Sequence, residues 1–68
     1  MVLGKFEGAP SWVPYFYNLF LEGEGEPVGE KWRIKILQED VQRFPELKDK
    51  RYAYLVFSDV GFVDGYVR

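Results

Sequence analysis

Cysteine, histidine and threonine are all absent from these 68 residues, and each absence removes a class of chemistry. Without cysteine there is no disulfide framework and no thiolate metal site, the staples on which small scaffolds usually rely. Without imidazole or thiol, the usual general base and nucleophile near neutral pH are missing. The hydroxyls that remain belong to Ser11, Ser58 and five tyrosines. Long apolar runs are lacking too. The longest uncharged apolar-rich stretch, residues 9–21, falls short of the roughly 20 residues of a membrane span and contains Pro10 and Pro14. No basic segment followed by an apolar one marks a signal peptide. These absences predict a soluble, cytoplasmic protein with no metal, no cofactor and no membrane contact, stabilised by packing or by a partner.

Aromatic residues are what the chain has in excess: two Trp, five Tyr and six Phe. Each buried ring removes on the order of 150–250 Å² from water, so a few rings can stabilise a short chain. A chain this short predicts one domain over residues 1–68, with no room for a second core. The net charge of −2 is unevenly spread. Residues 1–30 hold Lys5 against Glu7, Glu22, Glu24, Glu26 and Glu30, or −4; residues 31–51 hold seven basic and four acidic side chains, or +3; residues 52–68 sum to −1.

The cleanest periodic signal is Lys31–Ile36, where Lys31, Arg33 and Lys35 alternate with Trp32, Ile34 and Ile36. Period two with β-branched residues predicts a strand with one buried face. Residues 51–57 are rich in strand formers and apolar on both faces, which predicts a central strand covered on each side. Residues 62–67 follow after Ser58-Asp-Val-Gly61, where Gly61 suits the left-handed position of a bulged hairpin loop. Gly65, inside the second arm, predicts a bulge or a close backbone approach. Between the strands, Val41, Phe44 and Leu47 are spaced three apart behind acidic residues, predicting a short helix near 39–44 that breaks or restarts at Pro45.

The run Trp12-Val-Pro-Tyr-Phe-Tyr-Asn-Leu-Phe20 carries five rings in nine residues. Aromatic enrichment favours a strand here. A helix is the alternative, with Ser11 as cap, Pro14 in the first turn and Gly23 closing the end. Residues 22–29 are a loop on either reading. The expected fold is all-β or β-rich α+β: a small twisted antiparallel sheet, or an SH3-like barrel, of four or five strands with one short helix.

Constellations that could carry chemistry are weak. Glu22, Glu24 and Glu26 alternate with glycines but lack the converging ligand positions of a calcium loop. Gly23, Gly25 and Gly29 miss the dinucleotide fingerprint by one residue, and the glutamates among them would repel a phosphate. Glu39, Asp40, Asp59 and Asp64 offer carboxylates for acid–base work, yet a chain this short provides little concavity in which to shift a pKa. The expectation is therefore a non-catalytic module that binds a protein partner or itself. In so small a domain some of Trp12, Tyr15, Phe16, Tyr17 and Phe20 should be exposed, and exposed aromatic patches mark interfaces. The alternative is single-stranded nucleic-acid binding through Lys31, Arg33 and Lys35, extended by Arg43, Lys48, Lys50 and Arg51, as on basic faces of small β-barrels.

One fragment bears on the late hairpin. Val56-Phe-Ser-Asp-Val-Gly61 resembles the V-x-F-x-D-Y-G turn between late strands of Tudor-type SH3-like barrels. The resemblance implies a hairpin. It does not imply methyl-ligand recognition, because Val60 stands where that pattern has an aromatic cage residue and the Val56–Phe57 spacing is one residue short.

Overall fold

A computed structural model describes Phe6 and residues 8–68. In chain order the elements are helix α1 (Val13–Leu21), strands β1 (Glu26–Val28) and β2 (Lys31–Lys35), helix α2 (Gln38–Arg43), a 3₁₀ turn (Pro45–Leu47), and strands β3 (Tyr52–Phe57) and β4 (Val63–Val67). The strands form an antiparallel sheet in the order β1-β2-β3-β4. The sheet stays open, so of the two expected architectures the β-rich α+β sheet is correct and the barrel is not.

The aromatic run is a helix, contrary to the strand expected of it. Its ends explain why. Pro14 occupies the first turn, where its missing N–H costs nothing. At the other end the N–H of Gly23 bonds to the Phe20 carbonyl at 3.0 Å and that of Glu24 to the Leu19 carbonyl at 2.9 Å, a Schellman closure. It requires the left-handed backbone that Gly23 adopts at φ +93°. Ser11 is not the cap; Trp12 holds that position without a side-chain bond.

One face of the sheet carries the core. Ile34, Ala53, Leu55 and Val63 are buried against Trp12, Val13 and Phe16 of α1 and its entry. Phe20 reaches Trp32 and Phe57, with ring centroids 5.0 and 5.2 Å away. Gly65 is a close approach, since a Cβ there would sit 2.6 Å from the Tyr54 carbonyl oxygen and 3.1 Å from the Trp12 ring. Gly61 takes φ +91° in the β3–β4 connection, as the hairpin reading required.

Helix α2 forms where the spacing of Val41 and Phe44 placed it and yields to the 3₁₀ turn at Pro45. Asp40, its third residue, is 2% exposed. Its Oδ2 accepts the Leu37 N–H at 2.8 Å, and its own N–H returns to the Leu37 carbonyl at 3.0 Å. Leu37 has no side-chain acceptor, so a backbone oxygen completes this capping box. Asp40 Oδ1 accepts the Tyr15 hydroxyl at 2.6 Å, tying α2 to α1. Phe44 adds an edge-on contact with Tyr15 at 5.3 Å.

Two predictions follow from this packing. Gly65→Ala should destabilise the fold by about 1–3 kcal/mol, the usual range for overpacking, read as a lowered urea midpoint. The Tyr15 phenol is raised above its ordinary value of 10.0, first by its hydrogen bond to Asp40 and then by burial. A raised folded pKa contributes stability that is full below the unfolded value of about 10 and is lost as pH climbs through the folded one. The stability difference between the native chain and Tyr15→Phe should therefore be constant below pH about 10 and shrink above it, measured as urea midpoints across the alkaline range.

Candidate binding surface

Strand register determines what the other face of the sheet displays. Side chains alternate faces along each strand, and the cross-strand partners build three rows. The first is Val28, Lys31, Val56 and Asp64; the second is Glu26, Arg33, Tyr54 and Tyr66. The third is Lys35 and Tyr52, continued by Arg68, which exchanges backbone bonds of 2.9 and 3.0 Å with Tyr52. None of these side chains is buried. Among the described residues α1 and the core lie on the opposite side, with α2 tied to α1 through Asp40 and Tyr15.

Rings and cations interlock across these rows. Tyr54 and Tyr66 are stacked with centroids 5.0 Å apart and planes 9° from parallel. Arg33 lies over Tyr52 at 4.6 Å, Arg68 over Tyr66 at 5.3 Å, and Lys31 over Tyr66 at 5.7 Å. Such contacts hold rings and cations upright without covering them. Arg33 is further held by Glu26, whose Oε2 accepts from both Nε and Nη2. That bond is the first cause, and Tyr54 the second, of a guanidinium pKa raised above its ordinary value. A groove of 360 Å³ opens beside this corner, lined in part by Glu26, Arg33, Lys35 and Tyr52.

The residues expected to bind fall into two sets. Trp12 and Phe16 are 4% and 0% exposed and belong to the core, so neither offers a surface. Tyr15, Tyr17 and Phe20 are half-buried and pack on that core. Lys31, Arg33 and Lys35 do share the open face, as their alternation required. Arg43 does not extend them, because it stands over Tyr15 on the helical side at 5.2 Å. The three acids of the glycine loop are separated in role: Glu26 enters β1 and holds Arg33, while the Glu24 carbonyl accepts the Trp32 indole N–H at 2.6 Å. Among the described residues no group of acidic side chains is arranged to hold a metal ion, and no helix is long and apolar enough to cross a membrane.

The sequence reading missed Tyr52, Tyr54, Tyr66 and Arg68. It also took β3 as covered on both faces, whereas Ala53 and Leu55 are buried and Tyr52, Tyr54 and Val56 are not. The signal was present in Tyr52-Ala53-Tyr54-Leu55, where large amphipathic rings alternate with apolar residues. Comparison with protein-family models, with curated proteins and with solved structures finds no match.

The two aromatic sets should separate in stability measurements. Phe16→Ala should cost about 3–5 kcal/mol, as for other buried rings. Tyr66→Ser loses one exposed-face stack, worth about 0.5–1.5 kcal/mol, and should leave a folded protein whose urea midpoint falls much less than that of Phe16→Ala.

Proposed function

We propose that this chain is a non-catalytic interaction module and that the open face of its sheet is the surface it binds with. The observation that carries this is the convergence of Tyr52, Tyr54 and Tyr66 with Lys31, Arg33, Lys35 and Arg68 on a face that no described element covers. Tyr and Arg are among the side chains that most often anchor binding. Holding three rings half-exposed contributes little to a core that lies on the other side of the sheet. Asp40, the buried carboxylate, has both oxygens engaged in bonds that fix helix positions, which favours a structural role over a catalytic one.

A second reading rests on a separate patch. Phe57, Val60 and Phe62 on the β3–β4 hairpin are 40%, 77% and 39% exposed, an apolar tip suited to a protein partner or a second copy.

Affinity capture from the native source distinguishes the two surfaces. The native chain, Tyr54→Ser/Tyr66→Ser and Val60→Ser/Phe62→Ser would be compared with and without nuclease, with circular dichroism confirming that each variant is folded. Retention should be lost in the tyrosine variant and kept in the hairpin variant. The reverse pattern transfers function to the hairpin, and equal retention by all three removes the sheet face as the binding surface.

A further inference from the structure

We infer that the ligand of the open sheet face is single-stranded nucleic acid, with Glu26 acting as an internal competitor for one of its phosphates; this rests on the reading of that face as the binding surface. Charge separation is the first argument. The face holds Lys31, Arg33, Lys35 and Arg68 against Glu26 and Asp64, four minus two, or +2. With −2 for the whole chain, everything else sums to −4. An acidic protein with four of its nine cations on one uncovered face, and a net positive charge there against a net negative remainder, presents that face to an anion.

The second argument is the arrangement of the rings. Lys31, Arg33 and Lys35 run along β2 at intervals of about 6.5 Å, twice the rise per strand residue, forming a track for a backbone. The tyrosines lie one and two strands over, on β3 and β4. A chain laid along β2 would bring its bases onto that platform. Stacking there needs unpaired bases, because a duplex hides its base faces. A protein partner would use the same rings but has no requirement for a row of cations beside them.

Glu26 sharpens the inference into something distinctive. Its carboxylate occupies the Arg33 fork that would otherwise grip a phosphate, both bonds going to one oxygen. Among the described residues Arg33 is thus the one cation of this face already paired with a carboxylate, leaving Lys31, Lys35 and Arg68 to meet phosphates. Three such contacts predict a log–log salt slope of about −2, at about −0.7 per phosphate for single strands.

Fluorescence anisotropy with a labelled mixed-sequence single-stranded DNA, its RNA equivalent and the matching DNA duplex tests this across a salt series. The native chain should bind the single strands more tightly than the duplex, with the slope given. Lys31→Glu/Lys35→Glu should lose the binding, and Tyr54→Ser/Tyr66→Ser should weaken it at least tenfold. Glu26→Gln, an exposed and nearly isosteric change, should tighten it several-fold and steepen the slope by about 0.7. Arg43→Glu, on the helical side over Tyr15, should behave as native apart from a small general charge effect. No binding at low salt, equal loss in Arg43→Glu and Lys31→Glu/Lys35→Glu, or preference for the duplex overturns the inference. If single strands fail while a nuclease-resistant partner is still captured through Tyr54 and Tyr66, the ligand is a protein and the surface stands. Failure of both removes the surface as well.

Discussion

The contact between Trp12 and Gly65 sets the height at which α1 rides over the sheet. Only a residue without a side chain leaves room for the indole there, since a Cβ at Gly65 would lie 3.1 Å from two of its ring carbons. With Trp12 seated so low, the positions one and two turns further on, Phe16 and Phe20, meet the sheet along the same side of the helix. Phe16 disappears entirely, and Phe20 closes over Trp32 and Phe57. A nine-residue helix thereby covers most of the inner face, with Leu47, Val41 and Phe44 packed in beside it.

That economy determines the rest of the surface. A domain of this size has one apolar layer to spend on one face, and the other face of the sheet is left to hold its shape by different means. Tyr54 and Tyr66 brace each other, and Arg33, Arg68 and Lys31 lie against ring faces. These contacts are individually small, about 0.5–1 kcal/mol for an exposed cation over a ring. They order side chains without desolvating them, leaving donors and ring edges accessible to a ligand.

Much of this was legible in the sequence, for a reason that also explains what was not. Residues 31–36 alternate cations with apolar side chains, so period two is unambiguous there, and the observed β2 starts at Lys31 as read. Pro45 and Gly61 act through local backbone geometry and appear where they were read. The aromatic run misled because ring-rich segments have strand propensity, while the features that made it a helix, Pro14 in the first turn and the glycine closure at Gly23, are positional and weak on their own. Strand β1 was read as loop because Glu26-Pro27-Val28 contains a proline, which a sheet tolerates only at an edge. The tyrosine face was hidden by the nature of tyrosine itself, whose ring fits a core and whose hydroxyl fits water. Nothing in the order of residues 52–57 says which side a helix will cover until α1 is known to be that helix.

The edges of the sheet complete the case for its face. An open sheet invites another strand at each edge unless something prevents it. On β1 the strand is three residues long and carries Pro27, which has no N–H to offer. On β4 the answer comes from hydrogen-bond alternation. Tyr52 and Arg68 exchange both backbone bonds, so Leu55 and Gly65, three pairs along, do not, and the Gly65 N–H points away from β3. That outward donor is taken by Oδ1 of Asp64 at 2.7 Å. A carboxylate there fills the bond that an added strand would need and sets a negative charge at the place where its carbonyl would approach. Asp64 also belongs to the open face, at the end of its most apolar row, away from Lys35, Tyr52 and Arg68. With both edges blunted and the inner face filled, the rings and cations of the outer face are the part of this sheet left open, and the part that the proposed binding would use.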